Sequence, residues 1–375
     1  MSPEPRTRPR RRRRPSGERF FFPAAALYAA LALPLSVHGL LTGSPWLPGL
    51  ATVLDHAHEL LFGFALAVVA GFLINQASWR QLWLLLGVWL LARIASVGWP
   101  DSLAVPIMNS AFALLLVRQV APPFLKSAKK LRNQAFAPLL VALGAAVLAF
   151  HLARVLDLVW LEFTVLQTTV LLLATLMLFM GGRIIAPIAA GVIERQGGEL
   201  EARIQPRIEA ALLVLMALAV GLSLIPVLPW AEGMVLAITG ALALLRLWRW
   251  RLWQCRARAD LWCLGLGYGW LGVGLLLLAS ASLTDWMTAS TATHAITVGA
   301  LGTLSIGVMT RVRLTRNKLD PAKGVALPVM TACIALAALL RLFAPAAPLP
   351  LAVGAGLWSL AMLGLLLVLM RPSAR

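Results

Sequence analysis

Charged side chains are scarce in this sequence: Asp, Glu, Lys and Arg make up 13% of its 375 residues, whereas hydrophobic residues make up 60%. A soluble globular chain has about 25% charged residues and about 45–50% apolar residues. The composition therefore excludes an ordinary soluble domain and indicates a polytopic membrane protein. Because one membrane span takes about 20 mostly apolar residues, the chain has room for roughly twelve helices joined by short loops.

Cysteine is also scarce, with only Cys255, Cys263 and Cys333 in the whole chain. None of them belongs to a Cys-x-x-Cys or Cys-x-x-Cys-His pattern. Their number and spacing argue against a disulfide framework and against covalently attached c-type haem. We interpret all three as packing residues.

The hydrophobic runs predict an all-α fold, a polytopic membrane protein of about twelve transmembrane helices. We expect an Arg-rich tail over residues 1–19, one helical membrane domain over 20–371 and a short tail over 372–375. The predicted spans are 20–42, 57–77, 80–98, 102–121, 134–156, 160–182, 207–229, 231–247, 260–281, 291–311, 325–344 and 347–370.

The N-terminal tail contains five consecutive arginines, Arg10 to Arg14, and has too few apolar residues to form a core. We expect it to be disordered and to contact anionic lipid at the cytoplasmic surface. Nucleic-acid binding is the less favoured alternative. The first hydrophobic run lacks a clear cleavage site and many more spans follow it, so we interpret it as an uncleaved helix.

The distribution of positive charge predicts the orientation. If the N-terminus is cytoplasmic, 30 of the 33 Lys and Arg residues fall in the inner segments and the outer loops contain none. The other three, Arg93, Arg154 and Arg341, fall within spans near their outer ends. This pattern follows the positive-inside rule and predicts that both termini are cytoplasmic.

All five histidines are expected near the outer side of the membrane: His38, His56, His58, His151 and His294. His56 and His58 stand beside two carboxylates, Asp55 and Glu59, where a polar turn enters a long apolar run. Ionisable residues at membrane depth must pair with one another or line a cavity, and they indicate a functional site. The sequence therefore predicts a polar, histidine-rich cavity on the outer side.

Imidazole is a suitable ligand for haem iron, copper and zinc. On a regular helix His56 and His58 would point about 200° apart, so both could not bind one ion unless the helix began only at His58. Glu59 and Asp55 are candidates for supporting the metal-binding histidines, and we expect Glu59 to orient a ligating histidine on a neighbouring helix or to take part in proton delivery. An interfacial, hydrogen-bonded helix start is the alternative reading of this segment.

The remaining candidates are less specific. His294 lies near Gly299 and Gly302, which would allow a partner helix or a flat macrocycle to approach. His151 and His38 have plainer settings, and His38 is the weakest candidate ligand. Arg93, Arg154 and Arg341 are candidates for binding haem propionates, or for structural ion pairs with acids such as Asp101 and Asp157.

Four stretches resemble conserved motifs of the NnrS family, in the same order along the chain. The most specific are the first, DHAHELLFGF at residues 55–64 followed by AGFL at 70–73, and the last, HAITVGALG at 294–302 followed by VMTR at 308–311. Between them, MGGRIIAP at 180–187 and LGYGW at 266–270 also fit. The resemblance covers essentially the whole chain after residue 19.

This resemblance implies a multi-pass protein of the bacterial inner membrane that contains haem b, with copper as a further metal, and responds to nitric oxide and nitrosative stress. For a metal or haem site of this kind, we expect the ligands to be His56 or His58 together with His294 or His151. The sequence departs from the family pattern at Gly265 and at residues 312–316, where histidines are expected. If either histidine binds metal in relatives, this protein holds fewer metals.

Two other functions fit the same residues. One is a proton-coupled transporter with a histidine-lined outer cavity, although no inverted repeat is evident. The other is a membrane scaffold that delivers metal to another enzyme. The nature of the bound group separates these alternatives from a haem protein.

The orientation is directly testable. A green fluorescent protein fused after Arg375 should fluoresce, and alkaline phosphatase fused after Asp101 should be active, because the first lies in the cytoplasm and the second outside it. The reverse result at both sites would contradict the predicted orientation.

Overall fold

A computed structural model describes residues 15–127, 136–225, 227–284, 286–344 and 347–371. Most of the predicted N-terminal tail, the first residues of the predicted span 134–156 and the C-terminal tail 372–375 lie outside these ranges. In the described residues the secondary structure is helical, with no strand, and twelve helices are long and apolar enough to cross a membrane. The predicted all-α fold and the number of spans are confirmed.

We number these helices in chain order. They are α1 (Glu18–Thr42), α2 (Val53–Leu73), α3 (Trp79–Gly98), α4 (Ala104–Ser127), α5 (Phe136–Val155), α6 (Val159–Arg195), α7 (Pro206–Ser223), α8 (Pro229–Arg249), α9 (Ala259–Leu283), α10 (Ala289–Arg316), α11 (Ala326–Phe343) and α12 (Pro348–Met370). The connections α1–α2, α3–α4 and every second one after them lie at one end of the bundle. We call it the histidine end, because all five histidines lie near it, and we call the other the arginine-rich end.

Several helix boundaries differ from the predictions, and three of the differences concern the centre of the bundle and the N-terminal tail. Helix α2 begins at Val53, four residues early, because the Thr52 hydroxyl accepts a hydrogen bond from the Asp55 amide and caps it. Helix α6 continues to Arg195 instead of ending at residue 182. Residues 15–19, predicted to belong to the tail, are part of the bundle, where Glu18 pairs with Arg316 at 2.9 Å.

Close packing at two glycines explains why α6 does not end where its sequence suggests. A Cβ on Gly181 would lie 2.4 Å from the Tyr268 ring, and one on Gly182 would lie 2.1 Å from a guanidinium nitrogen of Arg246. The glycines therefore serve as contact points within a continuous helix, as small residues do between transmembrane helices.

Helices α2, α6 and α10 form the centre of the bundle. In each of them 72% of the most apolar stretch is buried, compared with at most 61% in any other spanning helix. Extensive contacts join α4 to α5, α8 to α9 and α12 to α1. Contacts between successive helices thus run around the bundle and close between α12 and α1. The three central helices, α2, α6 and α10, are four helices apart along the chain.

Helices α2 and α10 share an unusual local structure. Each starts with a capping threonine, Thr52 or Thr288, followed by six α-helical residues that end at a histidine, His58 or His294. A π-helical segment follows directly in both, Glu59–Ala65 and Ala295–Ala300. π-helical turns are rare and occur frequently at functional sites. Their position directly after two histidines indicates that the candidate functional site lies at the histidine end.

Candidate functional site

A cavity of about 500 Å³ lies at the histidine end, among α1, α2, α6 and α10–α12. Its volume is within the range of about 300–1,000 Å³ that is typical of small-molecule sites. Most of the lining is apolar, and the polar side chains that line it include His56, His294, Arg341 and Gln167. The cavity therefore combines an apolar body with a few converging polar groups.

The two histidines of this cavity come from different helices and have matching hydrogen bonds. Nδ1 of His56 lies 3.1 Å from the Ser36 hydroxyl, and Nδ1 of His294 lies 2.6 Å from the Ser290 carbonyl oxygen, which accepts its proton. When Nδ1 carries the proton, the lone pair of a neutral imidazole is on Nε2. The Ser290 carbonyl can only accept, so in His294 Nε2 is the nitrogen available for a metal. The Ser36 hydroxyl can either donate to or accept from Nδ1 of His56, and Nε2 of His56 is available when it accepts.

Arg341 adds a positive charge to the wall of the cavity. Its Nη1 atom is buried and has no hydrogen-bond partner among the described residues. A buried guanidinium group without a partner is costly, whereas an arginine pairs strongly with a carboxylate through two parallel hydrogen bonds. The arrangement suits a ligand that carries a carboxylate.

The other two inner histidines form a separate pair. Nε2 of His58 lies 3.3 Å from Nε2 of His151, and both residues are buried. The His58 ring stacks on Phe150 and meets Phe62 edge-on, so aromatic rings surround the pair. Neither His58 nor His151 lines the cavity that contains His56.

The Glu59 carboxylate holds His58 in place. One of its oxygens lies 2.7 Å from Nδ1 of His58, and the other accepts hydrogen bonds from Arg93, at 2.5 Å, and from the Tyr28 hydroxyl. Arg93 also donates to the side chain of Asn109. Residues from α1, α2, α3 and α4 thus meet around one carboxylate that is 1% exposed.

A second acidic group lies closer to the surface of the histidine end. Arg154 on α5 donates hydrogen bonds to Asp55 and to Glu162, each at 3.0 Å. The alternative that Arg93 and Arg154 form structural ion pairs thus matches the structure, but the partners are Glu59, Asp55 and Glu162 instead of Asp101 or Asp157. Asp55 on α2 and Glu162 on α6 are far apart in the sequence, yet both contact Arg154.

The single cavity expected from the sequence is divided. His56 and His294 share the large cavity, His58 and His151 form a buried pair, and the ring of His38 lies 4.9 Å from that of Trp46 in the α1–α2 connection. Because α2 is already helical at Val53, His56 and His58 project from different faces, as the regular-helix argument predicts.

Some contacts differ from the sequence expectations, and some residues were not anticipated. Glu59 contacts His58 and not a histidine of a neighbouring helix. The space beside Gly299 and Gly302 is filled by Trp270 and Trp358, which leaves no room there for a macrocycle. Sequence reasoning also missed a set of polar residues that look ordinary in hydrophobic runs: Tyr28, Ser36 and Gln167.

In the part of the chain that the structure describes, no three His, Cys, Asp or Glu side chains are grouped closely enough to hold one metal ion. Cys255, Cys263 and Cys333 are free thiols on other parts of the bundle.

The model of the NnrS protein family matches residues 16–372. The chain belongs to the NnrS family. No curated protein matches it.

The departures from the NnrS pattern lie away from the histidines. Gly265 is near the start of α9, at the arginine-rich end, and packs against Leu252. Residues 312–316 end α10 at the same side, roughly 28 Å from His294 along the helix. In this NnrS protein both changes therefore leave the histidine end intact. Any metal ligands that relatives have at these two positions would form a site at the arginine-rich end.

Replacing Glu59 tests the central network. In Glu59→Gln the buried Arg93 loses its carboxylate, and breaking a buried ion pair in this way costs about 3–5 kcal/mol. We expect a clear loss of thermal stability in detergent, measured by size-exclusion chromatography after heating.

Glu162→Gln is the matched control, because Arg154 keeps Asp55 as a partner when Glu162 is neutral. Equal stability of the two variants would show that the Glu59 network does not hold the bundle together.

Proposed function

We propose that this NnrS-family protein binds haem b in the cavity between α2 and α10, that His56 and His294 would hold its iron, and that the protein acts in the response to nitric oxide. The observation that carries the proposal is that two histidines from different central helices line one cavity with Nδ1 hydrogen-bonded and Nε2 available. Second hydrogen bonds of this kind are usual for metal-binding histidines.

The cavity suits haem in three further respects. Its lining is mainly apolar, as expected around a macrocycle. Its volume of about 500 Å³ lies within the range of small-molecule sites. The unpartnered Nη1 of Arg341 is available to a propionate. The absence of a Cys-x-x-Cys-His motif is consistent with a non-covalent, b-type haem.

When bound, haem would supply an iron centre for electron exchange and for nitric oxide binding. The chain's own residues would support it: Ser36 and the Ser290 carbonyl hold the two imidazoles, and Arg341 balances negative charge. Gln167 adds an amide to the lining of the same cavity.

We further propose that His58 and His151 hold a second metal ion, copper. Imidazole is a suitable ligand for copper, and one ion would need both Nε2 atoms close to each other. The observed separation of the Nε2 atoms is 3.3 Å. Glu59 supports this role, because a carboxylate on Nδ1 orients a ligating histidine and raises its basicity.

The location follows from the charge pattern. Twelve spanning helices make this a multi-pass membrane protein. With the arginine-rich end in the cytoplasm, the histidine pairs face the outer half of the bacterial inner membrane. Nitric oxide is small and uncharged and reaches such a site from either the lipid or the aqueous side.

The haem proposal predicts a Soret band in detergent-purified protein that persists in His38→Ala but is lost or strongly reduced in His56→Ala and in His294→Ala. Each of the latter removes one axial nitrogen, whereas His38 lies outside the cavity. Absorption spectra of oxidised, dithionite-reduced and nitric-oxide-treated samples provide the measurement.

A colourless wild-type protein from haem-replete cells would contradict the proposal and favour the transporter. Full haem content in both cavity variants would place the ligands elsewhere.

The copper proposal predicts that His58→Ala and His151→Ala lose copper relative to wild type while keeping the Soret band, because neither residue lines the haem cavity. Metal content per protein and per haem, measured by mass spectrometry, checks this. Loss of both groups together, or unchanged copper, would show that the two sites are not separate as proposed.

A further inference from the structure

A second, smaller cavity lies next to the histidine cavity, towards the arginine-rich end. It has a volume of about 90 Å³ and is formed by α2, α6, α9 and α10. Its walls are almost entirely hydrocarbon and thioether: they include Val68, Phe72, Met177 and Leu304, with Ser305 as the one hydroxyl-bearing residue.

The two cavities follow one another along the same three central helices. On α2 the larger cavity is lined up to Phe64 and the smaller one from Ala65 onwards. On α6 the corresponding residues are Val170 and Leu173. On α10 a single side chain, Leu301, lines both cavities and forms their common wall.

Size and chemistry restrict what the smaller cavity can hold. An apolar cavity offers too few hydrogen-bond partners for ordered water, and such cavities stay dry and take up xenon or small apolar molecules. A volume of about 90 Å³ admits a diatomic molecule but not a haem. A charged or strongly polar substrate would lose its hydration without compensation.

We propose that this cavity is a docking site for an uncharged diatomic gas, from which the gas passes Leu301 into the histidine cavity. The proposal deepens the function proposed above and rests on it for the destination of the gas. Uptake into the smaller cavity itself does not depend on haem, so the two claims are separable by experiment.

The matched variants are Val68→Phe and Val88→Phe. Val68 lines only the smaller cavity, so a phenylalanine there fills it. Val88 is a half-buried valine on α3 that lines neither cavity, so it receives the same substitution without blocking the route. A third variant, Leu301→Ala, widens the wall between the cavities and should act in the opposite direction.

The first readout is xenon binding in pressurised crystals of the full chain. We expect xenon between α2, α6 and α10 in the wild type and in the control variant Val88→Phe. In Val68→Phe we expect no xenon at this position. Absence of xenon from wild type, or density for a lipid chain in its place, would overturn the proposal whether or not haem is present.

The second readout is the rate of nitric oxide recombination after flash photolysis of the haem-loaded protein. We expect a several-fold decrease in Val68→Phe, an increase in Leu301→Ala and no change in Val88→Phe, with equal Soret bands in Val68→Phe and Val88→Phe, neither of which alters the lining of the histidine cavity. Unchanged rates in both Val68→Phe and Leu301→Ala would overturn the route. A wild type that binds xenon but lacks a Soret band would instead refute the haem function.

Discussion

The Glu59 carboxylate is the group on which the arrangement of the histidine end depends. A nearly inaccessible carboxylate among transmembrane helices is tolerated only when donors surround it. Here Arg93, Tyr28 and His58 all direct donors at it, and they come from three helices. Gly63, on the same helix, makes room for the guanidinium, because a Cβ there would lie 2.8 Å from it.

This network has a direct consequence for the histidines. Once Glu59 fixes Nδ1 of His58, the ring presents Nε2 towards His151 on α5. His56, two residues earlier, then points to the other side of α2, into the cavity shared with His294. His56 and His58, two residues apart, thus belong to two different histidine pairs. The pair His56 and His294 lines a mainly apolar cavity in which Nη1 of Arg341 has no partner among the described residues. The pair His58 and His151 is a tight contact between two buried rings.

Helices α2 and α10 bring matching features to the centre of the bundle. The threonine caps fix where each helix starts, so the histidine falls six residues later, and a π-helical segment follows in both. Since α6 lies beside both of them, two cavities follow one another along these three helices within the packed core. A packed interior normally leaves few voids, so these two are themselves features that function must explain.

Hydropathy and the lysine and arginine pattern were enough to predict twelve helices, because the cost of exposing backbone polar groups to lipid leaves few other folds. The regular-helix argument also predicted that His56 and His58 face apart. The pairing of histidines between helices was not predictable, since it depends on which helices become neighbours. The role of Tyr28 was equally hidden, because it is a single polar residue in an apolar run. Gly181 and Gly182 were misread as a helix end, because their partners, Tyr268 and Arg246, are remote in sequence.

The central claim is that His56 and His294 ligate one haem iron. Electron paramagnetic resonance of the oxidised, purified protein tests it most directly, because two imidazoles on one ferric iron give a low-spin signal. We expect that signal in wild type and its conversion to a high-spin signal, or its disappearance, in His294→Ala. A wild-type spectrum that is entirely high-spin, or a low-spin signal unchanged by His294→Ala, would contradict the account.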